Sequence, residues 1–151
     1  MASASDCIQA VVLDWYRSIE RRDIDHVMDL MTDDVVGEMP YSPGGFPKKL
    51  SGKDEHFHHF VNGIGGYAKI QFVDFEFWPM TVEGYTGLQC KSKFVQRSGK
   101  PYENNYFCLY RVIGGKVAHW VEYYDPIIFI DAHGSVDRAC AHYDVKSLPG
   151  R

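Results

Sequence analysis

Residues 114–126 read GGKVAHWVEYYDP and place a carboxylate, Glu122, inside a run of strand-forming residues. Successive side chains of a β-strand point to opposite faces, so Ala118, Trp120, Glu122 and Tyr124 share one face. If that face lines a pocket, Glu122 loses solvation, its pKa rises toward neutrality, and the carboxyl group can pass protons at pH 7. The alternative is a structural Glu that an Arg or Lys neutralises at the end of the strand. The sequence leaves both interpretations open.

A cluster of histidines, HFHH at 56–59, is the second candidate for chemistry. On a helical wheel, His56 and His59 lie on one flank of the apolar arc, and His58 lies on the other. A histidine on that flank is either a partly exposed helix residue or a pocket group that can hydrogen-bond a ligand. His56 and His59 have i, i+3 spacing, but no third ligand follows at a recognisable interval. The pattern therefore predicts no metal site.

The elements that must position these side chains follow from hydrophobic periodicity and turn residues. Three helices are predicted: one over residues 5–22, a short one capped by Asp23, and one opened by Ser51 and stopped by glycines at 63, 65 and 66. VVGEMPY is predicted to be the first strand. The later strands are KIQFVDFEFWPM, EGYTGLQCKSKFVQ, YENNYFCLYRV and KVAHWVEYYDP, joined by turns. Helices followed by antiparallel strands are typical of an α+β architecture.

The chain has 151 residues, which is the size of one compact domain. We predict a single domain over residues 1–151, an α+β barrel with a curved, cone-shaped antiparallel sheet that encloses a conical pocket. The three helices of the N-terminal half are expected to close the cone. The core is expected over about residues 8–130, followed by a polar C-terminal tail after Ile130 that is mobile or contacts a partner.

Composition excludes several classes of partner and cofactor. The net charge is −4 with acids and bases interspersed, so no basic run predicts binding to nucleic acid or to an anionic membrane. No stretch is apolar enough to span a bilayer and MASASDC lacks the features of a signal peptide, so a cytoplasmic location is expected. Cys7, Cys90, Cys108 and Cys140 are irregularly spaced and are interpreted as reduced packing groups. No motif indicates a nucleotide, flavin or haem, so no cofactor is predicted.

Four segments in order, TDDVVGEMPYSP, LSGKDEHFHHF, YENNYFCLYRVIGGKV and WVEYYDP, resemble the nuclear transport factor 2-like superfamily. The resemblance spans roughly residues 8–130 and is closest to the SnoaL-like proteins and the phenazine-biosynthesis A/B proteins. It implies the cone fold, with Glu122 in the position of an acid and His59 in that of a pocket histidine. The superfamily contains isomerases, cyclases, dehydratases, epoxide hydrolases and non-catalytic binders, so the resemblance alone does not select a reaction.

The chain departs from two enzyme groups of this superfamily. In an ungapped comparison with ketosteroid isomerases, Met39 stands in place of the general base, Phe107 in place of the buried Asp, and Trp15 in place of a helix Tyr. Limonene epoxide hydrolase-like proteins need an Arg-x-Asp where this chain has QCKSKF. Neither mechanism is therefore indicated. A bulge in VVGEMPY would turn Glu38 inward in place of Met39, and the sequence leaves that register open.

The predicted walls of the pocket are mainly aromatic. Asn105 is preferred to Asn104 as an inward residue because it shares strand parity with Phe107, although slippage by one residue stays open. Tyr41 is interpreted as either a hydroxyl group at the pocket rim or ordinary packing. The predicted catalytic residues are Glu122 and His59, and the predicted substrate-binding residues are Trp15, Met39, Tyr41, His56, Phe60, Asn105, Phe107, Trp120 and Tyr124.

These features together predict a cofactor-free enzyme that performs acid/base chemistry on a small apolar or aromatic biosynthetic metabolite. Isomerisation, cyclisation and condensation are the expected reaction types. Two alternatives stay open: a non-catalytic binding or assembly protein of the same fold, and a dehydratase or epoxide hydrolase. His119, Val121 and Tyr123 would face outward together with the aromatic stretch FVDFEFW, and an apolar sheet face of this kind predicts a homodimer.

Overall fold

The first helix, α1 (Ala4–Arg21), opens the part of the chain that the computed structural model describes, residues 3–134. A capping box between Ser3 and Asp6 satisfies backbone groups at its start. The helix ends at Arg22, which has a left-handed φ of 62° and whose guanidinium donates to the carbonyl oxygens of Ile64 and Tyr67. One side of α1 is buried, comprising Val12, Trp15, Tyr16, Ser18 and Ile19.

Two more helices lie where the sequence predicts them. α2 (Ile24–Asp29) is capped by Asp23, whose carboxylate accepts a hydrogen bond from the backbone N–H of His26. α3 (Gly52–Gly65) begins after Ser51 and ends among the predicted glycines. None of the helices in the described part of the chain is long and apolar enough to cross a membrane.

In residues 3–134, nine strands form two sheets. Their bounds are β1 (Met31–Glu38), β2 (Lys49–Ser51), β3 (Tyr67–Lys69), β4 (Phe72–Pro79), β5 (Tyr85–Ser92), β6 (Phe94–Gln96), β7 (Pro101–Tyr102), β8 (Asn105–Ile113) and β9 (Lys116–Tyr124). The larger sheet has the order β2-β1-β9-β8-β5-β4, and the smaller has the order β3-β6-β7. Every pairing is antiparallel except that of β1 with β9, which is parallel. The predicted α+β architecture with a curved sheet is confirmed, and the sheet is antiparallel as predicted except where β1 meets β9.

The curvature comes from breaks and bulges in strands that the sequence predicts as continuous. β3 and β4 are separated at residues 70–71, β5 and β6 at residue 93, and β7 and β8 at residues 103–104. One strand of each pair, namely β3, β6 or β7, joins the smaller sheet, while the other stays in the larger sheet. The sheet surface therefore bends at each break. Within β4, Asp74 adopts a left-handed φ of 56° at an irregularity between Val73 and Glu76, which bends the strand further. The resulting concave face holds the core.

A fourth helix, α4 (Pro126–His133), corrects the predicted organisation of the C-terminal end. It starts at Asp125, whose carboxylate accepts hydrogen bonds from two backbone N–H groups, and Pro126 follows the cap. The sequence PIIFIDAH is too short and too uniformly apolar to show a helical period, so no helix is predicted there. The helix extends past Ile130, where the polar tail was expected to begin; the rest of that tail, residues 135–151, lies outside the described residues.

The helices that close the cone also differ from the prediction. α1, α3 and α4 supply residues to the cavity of the cone, whereas α2 supplies none. α2 instead packs Val27 into the core near the end of α1. The cavity is therefore enclosed by α1, α3 and α4 and not by the three N-terminal helices. The sequence did not predict this, because the position of α4 depends on contacts with residues distant in sequence.

The outer face of the sheet exposes large apolar side chains. Trp78 and Phe107 are 46% and 43% exposed. Gly87 lies between them, and a Cβ at that position would be 3.2 Å from Trp78 Cβ and 3.7 Å from the Phe107 ring. Tyr123 packs its ring against Tyr41 on the same face, with ring centroids 5.1 Å apart. Apolar patches of this kind on a soluble fold are typical of an interface.

The homodimer stays a prediction, now placed on this outer face. Phe107→Lys should shift the protein from dimer to monomer in multi-angle light scattering at micromolar concentration, because it puts a charge into an apolar interface. Val61→Lys is the matched control, since Val61 is 44% exposed on α3, away from the sheet face. A wild-type protein that is already monomeric, or a Phe107→Lys variant that stays dimeric, would contradict the prediction.

Candidate active site in the conical cavity

The concave face of the sheet and helices α1, α3 and α4 enclose a cavity of about 190 Å³. Its walls are largely aromatic, as the sequence predicts. Seven of the predicted site residues line it, namely Trp15, Met39, His59, Phe60, Trp120, Glu122 and Tyr124. The other four, Tyr41, His56, Asn105 and Phe107, do not.

Glu122 lies on the cavity side of β9, between Trp120 and Tyr124. Its partner across the ladder is Cys108 of β8, a fully buried residue. Burial raises the pKa of Glu122 to about 7, and no Arg or Lys among residues 3–134 forms an ion pair with it. Within the described residues, the structural alternative of a Glu neutralised by a basic residue at the strand end is therefore not found. The carboxyl group is poised to hold or release a proton near neutral pH.

The register of β9 is what turns Glu122 inward. Val117 pairs with Val112 and His119 pairs with Arg111, so Ala118 is an extra residue in β9. The predicted common face of Ala118 with Trp120 is interrupted there, and Val117 takes the buried position instead. From Trp120 onward the alternation holds, and it carries Glu122 and Tyr124 to the cavity.

His59 lies in the cavity wall on α3. Burial, together with the nearby His56 ring, lowers the pKa of His59 to about 3. Its ring is therefore neutral at physiological pH. A neutral imidazole can donate one hydrogen bond and accept another, but it does not supply a proton as an imidazolium would.

His56 is fully buried behind the wall, where it positions Trp120. The indole N–H of Trp120 can only donate, and it lies 3.0 Å from His56 Nε2, so Nε2 must be the unprotonated nitrogen. Nδ1 then carries the proton and donates to the carbonyl oxygen of Gly52 at 2.7 Å. Contrary to the prediction, His56 does not line the cavity, and both of its ring nitrogens are engaged within the protein. Burial also lowers the pKa of His56, which favours this neutral tautomer.

The structure of β1 shows which of Glu38 and Met39 faces the cavity, a choice that the sequence leaves open. Met39 follows β1, is 4% exposed and lines the cavity. Glu38 points to the outer side, where its Oε1 lies 2.7 Å from His119 Nε2. Gly37 pairs with Trp120, and a Cβ at Gly37 would overlap the indole ring. The cavity therefore receives one carboxylate from these strands, Glu122, and not a second from Glu38.

Asn105 and Phe107 are corrections to the predicted site. On β8 the buried alternates are Tyr106, Cys108, Tyr110 and Val112, so Asn105 and Phe107 face outward. Both alternating sets contain aromatic and apolar residues, and hydrophobicity could not choose between them. Phe107, which the ungapped comparison set in place of a buried Asp, is 43% exposed.

Asn104 and Tyr41 have structural positions. Asn104 is 2% exposed, donates to Tyr102 Oη and to the carbonyl oxygen of Asp125, and accepts from the backbone N–H of Asp125. It thereby fixes the start of α4 against β7. Tyr41 is 60% exposed and contacts Tyr123 on the outer face, so it is not a cavity residue.

Among the cavity residues that sequence reasoning missed, two pairs bear on the chemistry of the site. Phe129 and His133 come from the unpredicted α4. Tyr16 and Tyr110 also line the cavity, and their hydroxyl oxygens are 2.6 Å apart. The position of Tyr16 in the apolar stripe of α1 indicates that its side chain is buried. Nothing in the sequence links it to Tyr110, which is 94 positions away. Within residues 3–134, no three His, Cys, Asp or Glu side chains come together as a metal site requires.

The comparisons with known proteins agree with this geometry. Residues 12–120 match the SnoaL-like domain. The chain belongs to the SnoaL-like domain family. It is similar to the uncharacterized protein YesE of Bacillus subtilis (strain 168), with 26% identity over 120 residues that cover 75% of this chain and 78% of YesE.

Solved structures of low sequence identity share the fold of this SnoaL-like protein. A "Putative Isomerase from Bacillus subtilis" superposes with a TM-score of 0.82 at 16% identity, covering 88% of this chain and 96% of that one. A phenazine biosynthesis-related protein from Pseudomonas aeruginosa superposes with a TM-score of 0.70 at 15% identity, covering 87% and 90%. The predicted resemblance to SnoaL-like proteins with a nuclear transport factor 2-like cone is confirmed.

Gly37→Ala tests how Trp120 is held. The added methyl group would overlap the indole, so Trp120 must move and its hydrogen bond to His56 should break. Overpacking of this kind costs about 1–3 kcal/mol, measured as the free energy of unfolding in urea. Gly65→Ala is the control, because a Cβ there meets nothing within 4 Å and Ala favours a helix. Equal stability of the Gly37→Ala variant and the wild type would contradict the packing described above.

Glu122→Gln tests the burial of the carboxyl group through the pH dependence of stability. The unfolded carboxyl group ionises near pH 4.5, whereas the folded one keeps its proton to about pH 7. Below pH 4.5 the protonated carboxyl group contributes its full share to the free energy of unfolding. As the pH rises from 4.5 to 7, that free energy falls by roughly 3 kcal/mol, because the buried group resists ionisation. Glutamine stays neutral, so the variant should gain stability relative to wild type between pH 4.5 and pH 8.

Comparing each variant with wild type at the same pH removes the contribution of the histidines, which has the opposite sign. Glu103→Gln, an exposed change between β7 and β8, is the matched control and should show no such trend. Thermal or urea unfolding at pH 4.5, 6 and 8 provides the measurement. A pH-independent difference between Glu122→Gln and wild type would mean that the Glu122 carboxyl group has the same pKa in the folded and unfolded protein and is not desolvated.

Proposed function

We propose that this SnoaL-like protein is an acid/base enzyme that moves a proton on a small, uncharged apolar or aromatic metabolite, with Glu122 as the proton-transfer group. The observation that carries the proposal is a carboxyl group with a pKa of about 7 inside an aromatic cavity. A pKa close to the working pH keeps both the acid and the base forms populated. Strongly perturbed groups in a cavity are typical of active sites.

The cavity walls supply what such a group needs. Trp15, Trp120 and Phe60 form edge-to-face contacts with ring centroids 5.7–5.8 Å apart, so the wall beside Glu122 is rigid. Rigid apolar walls bind an apolar ligand and exclude water from the carboxyl group. The neutral ring of His59 is a candidate to orient the ligand by hydrogen bonding.

Charge limits the ligand. Among the described residues that line the cavity there is no Arg or Lys, while Glu122 supplies a negative charge once it ionises. A carboxylate or phosphate on the ligand would therefore be buried without a counter-charge, at a cost of several kcal/mol. This favours a neutral ligand.

Isomerisation or cyclisation is the reaction type that this arrangement supports best. One carboxyl group can take a proton from one carbon and return it to another, which needs no cofactor and no second acid. The family assignment and the isomerase name of a structural neighbour are consistent with this proposal. Dehydration and epoxide opening usually need a second group to activate a leaving group or water, and Glu38, the other carboxylate considered, lies on the outer face.

Deuterium exchange into a carbon acid tests the proposal without knowledge of the natural substrate. In D₂O, the ionised carboxylate of Glu122 should remove a C–H proton next to the carbonyl group of 2-tetralone, leaving the enolate. The carboxyl group then exchanges with solvent and returns a deuteron to the same carbon. NMR should show exchange catalysed by wild type, with a rate that rises with pH around a midpoint of about 7.

Glu122→Gln should slow the catalysed exchange by about 10²-fold or more, since a positioned base contributes at least that much. Glu103→Gln, which removes the same charge from an exposed loop, should leave the rate unchanged. Saturable binding of 2-tetralone without any catalysed exchange would favour a non-catalytic binding protein. Full exchange activity in Glu122→Gln would remove Glu122 from the mechanism.

A further inference from the structure

The hydroxyl groups of Tyr16 and Tyr110 form a pair on the wall of the cavity. Tyr16 comes from α1 and Tyr110 from β8; they are 3% and 2% exposed, and their oxygens are 2.6 Å apart. Trp15 packs edge-to-face on Tyr110, and Phe72 packs edge-to-face on Tyr16. The two rings are therefore held in place before any ligand binds.

Counting protons shows that one of the two hydroxyl protons of this pair is available to a partner outside it. Each phenol carries one proton, and the contact between the two oxygens uses one of them. The other polar atom bonded to the pair is Cys108 Sγ, 3.5 Å from Tyr16 Oη. A thiol sulfur is a weak acceptor, so an oxygen atom of a ligand would be a better partner for the second proton.

The pair lies at the same end of the cavity as Glu122. Tyr110 is opposite Trp120 in the β8–β9 ladder, and Cys108 is opposite Glu122, so Tyr110 and Glu122 are diagonal neighbours on the inward face. The charge of Glu122 contributes to raising the pKa of both tyrosines, which also indicates proximity. Burial keeps both phenols protonated, so they act as hydrogen-bond donors and not as bases.

We propose that the Tyr16–Tyr110 hydroxyl pair binds an oxygen atom of the ligand, and that the ligand is an uncharged apolar compound bearing a carbonyl or phenolic oxygen. Such a ligand would place the carbon atoms next to its oxygen within reach of Glu122. The inference rests on the proposed function for the role of Glu122, but the binding of the oxygen can be tested separately.

The test compares 2-naphthol with naphthalene, which share the apolar bicyclic frame and differ by one hydroxyl group. Affinities from ligand fluorescence titration should favour 2-naphthol by about fivefold in wild type, which is the usual contribution of one net hydrogen bond. The double variant Tyr16→Phe/Tyr110→Phe should reduce the ratio of the two affinities to about one, whereas either single variant leaves one hydroxyl proton that the ligand oxygen can still accept. Thermal unfolding shows whether the double variant is folded, and if it is not, the comparison of the two probes in wild type still tests the proposal.

Tyr106→Phe is the discriminating control. Tyr106 also lines the cavity, but its hydroxyl group already contacts Ser92 Oγ at 3.3 Å and Tyr102 Oη at 3.2 Å. Its loss can shift both affinities alike, and the ratio should stay near the wild-type value. Equal affinities for the two probes in wild type, no binding of either probe, or the same loss of preference in Tyr106→Phe would overturn the proposal.

The same titration separates this inference from the proposed function. In Glu122→Gln the preference for 2-naphthol should persist, because the tyrosine pair is intact. A preserved preference together with no deuterium exchange in wild type would refute the enzyme and keep the oxygen site. Catalysed exchange with no preference for 2-naphthol would refute the oxygen site and keep the proposed enzyme function.

Discussion

Burial of the Glu122 carboxyl group among aromatic rings, with no basic residue from positions 3–134 paired to it, is the constraint on which the rest of the cavity depends. Ionisation of such a group costs free energy, and the cost appears as a pKa raised to about 7. The fold tolerates the group because it can stay protonated at little expense below that pH. The same desolvation that lowers stability at high pH makes the carboxyl group a proton carrier near neutrality.

The wall beside Glu122 is fixed by packing and by one hydrogen-bonded chain. Gly37 leaves the space that the Trp120 indole occupies, and His56 holds the indole N–H. His56 in turn donates to the Gly52 carbonyl oxygen at the start of α3. These hydrogen bonds join β9 to α3 on the other side of the cavity, so movement of α3 would also move the wall. A histidine here has a positioning function, although its residue type suggests chemistry.

Glu122 and His59 reach the same uncharged state by opposite shifts. Burial raises the pKa of the acid and lowers the pKa of the base, so between about pH 3 and pH 7 neither carries a charge. A cavity in that condition favours neutral ligands and disfavours ions. The hydroxyl groups of Tyr16 and Tyr110 then provide polarity without charge. The selectivity proposed for the site thus follows from desolvation and does not require a dedicated charged contact.

The sequence by itself determined the order of the first three helices and the strands, the common face of Trp120, Glu122 and Tyr124, and the resemblance to SnoaL-like proteins, because these depend on local periodicity and quoted motifs. The tertiary structure decided the rest. Both faces of β8 are apolar, so only pairing with its neighbours showed that Tyr110 faces inward while Phe107 does not. The uniformly apolar α4 has no helical period, and only its contacts with the sheet define it. Tyr16 and Tyr110 meet across 94 positions, and such long-range contacts are set by how elements pack, which no local pattern encodes.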